Sequence, residues 1–259
     1  MPNKTFGLIG KNLQHSFSKD YFSKFFIREN ISNCLYENIN ITNLESFIED
    51  IKNKKTKNPL LNNLCGFNVT MPYKEEIIKY LDTLDEASQK IKAVNVVRVE
   101  RNKGYIVLKG YNSDCYGFEK SLKENLSSLS CNAIILGSGG AQKAVSFVLD
   151  KLHFPYLIVS REKREKGKII SYSELSLDVI RNHNLIINTT PLGMQSSIDR
   201  MPNINTDFLD ERHIVFDLIY NPQKTLLLKE AEKRRSKIIN GYDMLIYQAQ
   251  KSWEIFNAK

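Results

Sequence analysis

The sequence has 259 residues, 42% of them hydrophobic, which is enough apolar mass for one large core or two modest ones and argues against overall disorder. Its 37 Lys and Arg against 29 Asp and Glu leave a formal net charge of +8, which suits an anionic partner. The basic residues are scattered and no basic segment is interleaved with aromatics, so the expectation is no nucleic-acid partner, although composition alone leaves that candidate open and a phosphorylated cofactor and an acidic metabolite fit equally well.

Cys34, Cys65, Cys115 and Cys131 form no CxxC pair, and His15, His153, His183 and His213 are too scattered for a helical metal pair, so neither a disulfide framework nor a metal is expected. The N-terminus lacks a basic stretch followed by a long apolar one, and no apolar run reaches bilayer-spanning length; the expectation is a cytoplasmic protein with no membrane partner.

In chain order, short β-branched and aromatic runs alternate with helical patterns, the signature of an α/β protein over a mainly parallel sheet. The spacing predicts strands at Phe6 to Gly10, Leu35 to Ile39 and Gly66 to Thr70, with a helix from about Lys19 to Glu29. The basic run Lys52 to Lys57 reads as a solvated loop. Val94 to Glu100 and Tyr105 to Lys109 flank Asn102-Lys103-Gly104, a hairpin signal. A second series follows, with strands at Ala133 to Leu136, Tyr156 to Ser160, Leu185 to Asn188, Ile214 to Leu218 and Lys237 to Ile239. Tyr242 to Phe256 reads as a final helix with one buried face.

The strand Ala133 to Leu136 enters Gly137-Ser138-Gly139-Gly140-Ala141 and then a helical pattern running through Leu149. A pyrophosphate needs backbone that can approach without Cβ atoms, together with the amides of a helix N-terminus. Gln142 stands where the strict GxGxxG pattern has its third glycine, so a plain strand-to-helix turn stays open as a reading. The next strand ends at Ser160-Arg161, with Lys163 and Arg164 behind, where NAD binders usually carry an acid. Cations there favour a 2′-phosphate and hence NADP, while Glu162 opposes it.

Several segments lie in one order over nearly the whole chain: Gln14-His15-Ser16-Phe17-Ser18, Asn68-Val69-Thr70-Met71-Pro72-Tyr73-Lys74, Ala93-Val94-Asn95, Gly110-Tyr111-Asn112-Ser113-Asp114, Gly137 to Ala141, Asn188-Thr189-Thr190-Pro191 and Tyr242 to Gln248. Together they resemble the shikimate dehydrogenase family. It departs from the family at Ser138, usually Ala, at Lys143, usually Arg, and at Ser160-Arg161-Glu162, usually Asn-Arg-Thr. The last change removes a hydroxyl donor and adds a like charge near the anion.

The resemblance implies a two-domain α/β fold: a discontinuous substrate-binding domain, residues 1–111 with 242–259, and a Rossmann-like NADP-binding domain, residues 112–241, with the active site in the cleft between them. It implies Lys74 and Asp114 as the catalytic pair, and Ser16, Ser18, Asn68, Thr70, Asn95, Asp114, Tyr220 and Gln248 around the substrate. Gly137, Ser138, Gly139, Gly140, Ala141, Ser160, Arg161, Lys163, Leu218 and Gly241 would serve the cofactor. Read without the family, Lys74 is a surface lysine, Asp114 caps a helix starting near Tyr116, and Ser16 and Ser18 cap the helix near Lys19. The implied activity is NADPH-linked reduction of 3-dehydroshikimate to shikimate by a monomer or homodimer. The alternatives are a quinate/shikimate dehydrogenase of broader cofactor use and, from another class, a non-catalytic dinucleotide sensor or a basic nucleic-acid binder.

Overall fold

The computed structural model describes residues 4–14, 16–52, 58–102, 104–126, 131–161 and 169–258. His15, all but the first residue of the Lys52 to Lys57 run, and Glu162, Lys163 and Arg164 lie outside the described residues. The α/β class read from the alternating pattern holds, and the chain divides into two compact units, Met1–Ser113 with Ala249–Lys259, and Asp114–Gln248.

The first unit contains β1 (Lys4–Gly10), α1 (Phe17–Arg28), β2 (Cys34–Asn40), α2 (Leu44–Lys52), α3 (Pro59–Asn62), β3 (Leu64–Val69), β4 (Thr83–Leu84), α4 (Glu86–Ile91), β5 (Val96–Asn102) and β6 (Tyr105–Tyr111). Its sheet runs β2-β1-β3-β5-β6-β4. β1 is parallel to β2 and β3, whereas β5 is antiparallel to β3 and β6, so this sheet is mixed rather than mainly parallel. The antiparallel pair is the expected hairpin, with Asn102 opposite Tyr105 and Gly104 at φ 104°.

β1 is buried from Thr5 to Gly10, as a strand covered on both faces must be. One face packs Ile9, Phe67, Val97 and Leu108 against Leu44, Phe47, Ile48 and Ile51 of α2. Those four recur at the i, i+3, i+4, i+7 spacing of a helix stripe, a signal for α2 that the strand-centred reading of this stretch passed over. The other face joins Phe6, Phe22, Phe26 and Tyr36 to Ala249, Ile255 and Phe256. Trp253 completes it, its ring centre 5.3, 5.7 and 5.2 Å from those of Phe6, Phe25 and Phe26.

The second unit contains α5 (Asp114–Asn125), β7 (Ala133–Leu136), α6 (Gly140–Lys151), β8 (Tyr156–Ser160), β9 (Ile169–Ser171), α7 (Leu177–Arg181), β10 (Leu185–Asn188), β11 (Ile214–Asp217), α8 (Leu226–Lys233) and β12 (Lys237–Ile239). α9 (Tyr242–Asn257) follows, and the division between the units falls within it, after Gln248. The sheet order is β12-β11-β10-β7-β8-β9, parallel throughout. β7 and β10 are buried at every residue, and their apolar runs were legible for that reason. From β7 the chain goes first to β8 on one side and later to β10 on the other. Such a reversal opens a crevice at the carboxyl ends of the strands, where open α/β sheets bind ligands.

Phe256 is 6% exposed and stacks on Phe6 at 5.0 Å, so Phe256→Ala should cost about 3–5 kcal/mol, read as a lower urea midpoint. An unchanged midpoint would show that α9 contributes little to the first core.

Candidate active site

In the second unit, β7 ends at a turn in which Gly137 adopts φ +107°. A Cβ there would lie 2.8 Å from the Thr189 hydroxyl and 2.9 Å from the Thr190 methyl, so only glycine fits. The Gly137 amide bonds to the Val159 carbonyl at 2.8 Å, tying the turn to β8. Gly139 caps α6 without any side-chain cap bond, and no acid occupies the first turn of that helix. A Cβ added at Gly139 or Gly140 would meet nothing within 4 Å. Packing therefore does not require either glycine. Open space over a helix N-terminus with no acid in its first turn is what a phosphate cradle needs, so these residues fit the pyrophosphate of a dinucleotide.

Beside the cradle, the hydroxyls of Ser138 and Ser160 are 3.1 Å apart, linking the ends of β7 and β8. Arg161 is exposed and near enough to Tyr172 to lower its phenol pKa, against the larger upward push of burial. Ala141 lies half-buried in the first turn of α6.

Across the switch point, β10 and β11 end in a buried polar cluster. Asp217 is 0% exposed. One carboxylate oxygen accepts from Asn188 Nδ2 at 2.9 Å and from the Ile219 amide at 3.1 Å, and the other from the Thr225 hydroxyl at 2.6 Å. Desolvation pushes its pKa up to about 6, and the three donors hold it from rising further. The Asn188 oxygen accepts from the amide and hydroxyl of Thr190, so the two strand ends share one network. Leu218 and half-buried Tyr220 follow directly from this clamp. A Cβ on Gly241 would lie 2.0 Å from the Leu218 carbonyl oxygen, so the two backbones meet at a glycine-only approach. Half-buried Asp114 opens α5, and the same helix packs Gly117 against α9, where a Cβ would come within 3.0 Å of the Gln248 amide.

In the first unit, Ser16 caps α1, its hydroxyl accepting from the Ser18 amide at 3.3 Å. Asn68 near the end of β3 is buried; its Oδ1 accepts from the Tyr36 hydroxyl at 2.8 Å, and its Nδ2 donates to the Asn95 carbonyl at 3.1 Å and Ser252 Oγ at 2.9 Å. Ser252 Oγ lies 3.1 Å from Ser113 Oγ, and Asn95 bonds to Ser113 through both ends of its amide. The expected pair Asn68 and Asn95 is thus joined by Ser113, which stood in the Gly110 to Asp114 motif with no role assigned to it, and by Tyr36 and Ser252, which lie in no motif. Asp217 and Thr225 carry no motif either; Asp217 is a polar residue that closes an apolar strand, and Thr225 is the N-cap of α8.

Thr70 follows β3, one residue beyond the strand, its amide bonded to the Ile9 carbonyl. The next turn carries half-buried Lys74, whose carbonyl accepts from the Val94 amide at 2.7 Å. Buried Tyr73 anchors that turn through its hydroxyl on the Ile41 carbonyl at 3.0 Å. Lys74 belongs to the first unit and Asp114 to the second.

Residues 8–97 match the sequence model of the shikimate dehydrogenase substrate binding domain. Over 99% of its length the chain is 37% identical to a shikimate dehydrogenase (NADP(+)) of Methanococcus maripaludis, covering 92% of that protein. The chain belongs to the shikimate dehydrogenase family. A crystal structure of a shikimate dehydrogenase in complex with NADP+ superposes with a TM-score of 0.83 at 34% identity, over 99% of this chain and 90% of that one. The shikimate 5-dehydrogenase of Thermus thermophilus, solved with NADP(H) and shikimate, gives a TM-score of 0.83 at 25% identity, over 99% of this chain and 94% of that one.

Two outcomes are expected in this family member. Gly139→Ala should leave thermal stability unchanged and weaken dinucleotide binding at least tenfold, since the methyl meets no protein atom; equal affinity in a fluorescence titration would remove the cradle's role. For Asp217 the native state holds its proton to about pH 6, while the unfolded chain releases it near 3.8, as an ordinary aspartate does. Stability from this group is therefore full below pH 4 and is lost as pH rises to 6, by roughly 3 kcal/mol in all at 1.36 kcal/mol per unit. Asp217→Asn does not titrate, so its stability relative to the parent should improve by that amount between pH 4 and 7 in chemical denaturation. A constant difference would show that the carboxyl keeps its ordinary pKa.

Proposed function

We propose that this chain catalyses the reversible NADPH-linked reduction of 3-dehydroshikimate to shikimate, a step of chorismate and aromatic amino acid biosynthesis. The observation that carries this reading is the whole-length likeness, at 37% identity, to a protein named for that activity and cofactor. The reaction is that of an NADP-dependent oxidoreductase on a secondary alcohol, with a small-molecule substrate. The reading places it in the cytoplasm as a monomer or homodimer; among the described residues no helix is long and apolar enough to cross a membrane.

The substrate-binding part, residues 1–111 with 242–259, is supported by the domain match over residues 8–97. The NADP-binding part, residues 112–241, is supported by the open glycine cradle of α6. Gly137, Ser138, Gly139, Gly140 and Ala141 hold the pyrophosphate, and Ser160, Arg161 and Lys163 the 2′-phosphate side. Leu218 and Gly241 lie against the nicotinamide, where close backbone approach matters more than charge.

Bound NADPH supplies a hydride to the ketone carbon. Lys74 donates a hydrogen bond to the ketone oxygen and gives up its proton as negative charge develops there; Asp114 is the carboxylate partner of the pair. In the oxidative direction the neutral amine of Lys74 takes the alcohol proton. Ser16 and Ser18 offer neutral donors to the substrate carboxylate, and Asn68, Thr70, Asn95, Tyr220 and Gln248 complete the shell around the ring.

A spectrophotometric assay of shikimate and quinate with NADP and NAD tests the reading. Shikimate with NADP should be preferred, with Lys74→Ala lowering turnover about 100- to 10,000-fold at unchanged cofactor affinity. Arg161→Ala should weaken NADP by about tenfold or more and leave NAD unaffected, since one charge-assisted contact exceeds the 1.4 kcal/mol of a decade. Quinate turned over with NAD as readily as shikimate with NADP would overturn the assignment.

A further inference from the structure

A carboxamide has two N–H donors and two lone pairs on its oxygen. In Asn68 both donors are committed, one to the Asn95 carbonyl at 3.1 Å and one to Ser252 Oγ at 2.9 Å. The Asn95 carbonyl can only accept, and it already takes the Val69 amide at 2.9 Å, so it forbids the flipped amide. The oxygen faces the Tyr36 hydroxyl at 2.8 Å, which uses one lone pair. Tyr36 is 1% exposed, and its ring stacks on Phe22 at 4.3 Å, so the hydroxyl has little freedom to leave. Burial raises its phenol pKa, with the Ser18 side chain as the hydrogen-bonding neighbour that partly offsets the rise, so Tyr36 stays protonated and donating at all working pH.

We propose that Tyr36 is a positioning residue for substrate recognition: with Ser252 and the Asn95 carbonyl it locks the Asn68 amide so that one oxygen lone pair is its only remaining capacity, making Asn68 a hydrogen-bond acceptor for a ring hydroxyl and never a donor. The inference rests on the reading above that Asn68 belongs to the substrate shell. It adds a direction to that contact, from substrate hydroxyl to protein, and names the group that enforces it. A substrate presenting a hydroxyl at this point is accepted, and one presenting only a carbonyl or ether oxygen is turned away by lone-pair repulsion.

The test uses the full-length enzyme with shikimate, with analogues lacking one ring hydroxyl each, and with NADP. Tyr36→Phe keeps the stacked ring and deletes the hydroxyl; it should raise KM for shikimate about tenfold while KM for NADP and the melting temperature change little. Ser252→Ala releases the amide from its other side and should give the same split. In the parent one deoxy analogue should lose about tenfold in kcat/KM against shikimate, and in Asn68→Ala and Tyr36→Phe that penalty should shrink toward unity. If Asn68→Ala raises KM for shikimate and neither Tyr36→Phe nor Ser252→Ala does, the positioning role is overturned and the substrate reading stands. If Asn68→Ala leaves shikimate kinetics unchanged, the substrate reading of Asn68 fails and the proposal falls with it.

Discussion

A buried amide or carboxylate must have its hydrogen bonds met inside the protein, because water cannot supply them there and an orphaned group costs more than a made bond returns. Both units put such groups at or next to strand ends and recruit neighbouring elements to satisfy them. In the first, Asn68 of β3 draws on β2 through Tyr36, on the approach to β5 through Asn95, and on α9 through Ser252. In the second, Asp217 of β11 draws on β10 through Asn188 and on the start of α8 through Thr225. Each network leaves its loops with little choice of path, so the side chains that follow are placed by bonds made behind them.

The same economy explains why the two glycine-rich features differ. Gly137 and Gly241 are glycine because protein would occupy the Cβ position, a requirement internal to the fold. Gly139 and Gly140 face open space, so packing does not require them to be glycine. The four residues look alike in sequence, yet only the first pair is fixed by the fold itself.

Much of the fold was legible because burial on both faces writes apolar runs: β7 and β10, buried at every residue, begin and end where the residue pattern places them, and β8 and β12 do so as well. Thr70 and Leu218 were read as the last residues of strands and lie just beyond them, since an apolar or β-branched residue past the ladder carries the same signature as one inside it. α2 announced itself by its stripe and was passed over, and β9, only three residues long, has no periodicity to read. For the site, motifs brought forward the residues proposed to face ligand, because ligand chemistry restricts residue types. Tyr36 and Ser252 escaped notice because their partner Asn68 lies 32 and 184 residues away along the chain, and a distant hydrogen bond leaves no local pattern.

The aromatic cluster around α9 has an optical consequence. The chain contains one tryptophan, Trp253, and it sits among Phe6, Phe25 and Phe26 of the first unit. Intrinsic indole emission is therefore a local lamp: it senses the polarity around β1, α1 and the end of α9, and is dark to events confined to the parallel sheet of the second unit. A chain that melts in two stages would show only one of them by this light, and the other would have to be followed through its tyrosines or its backbone ellipticity.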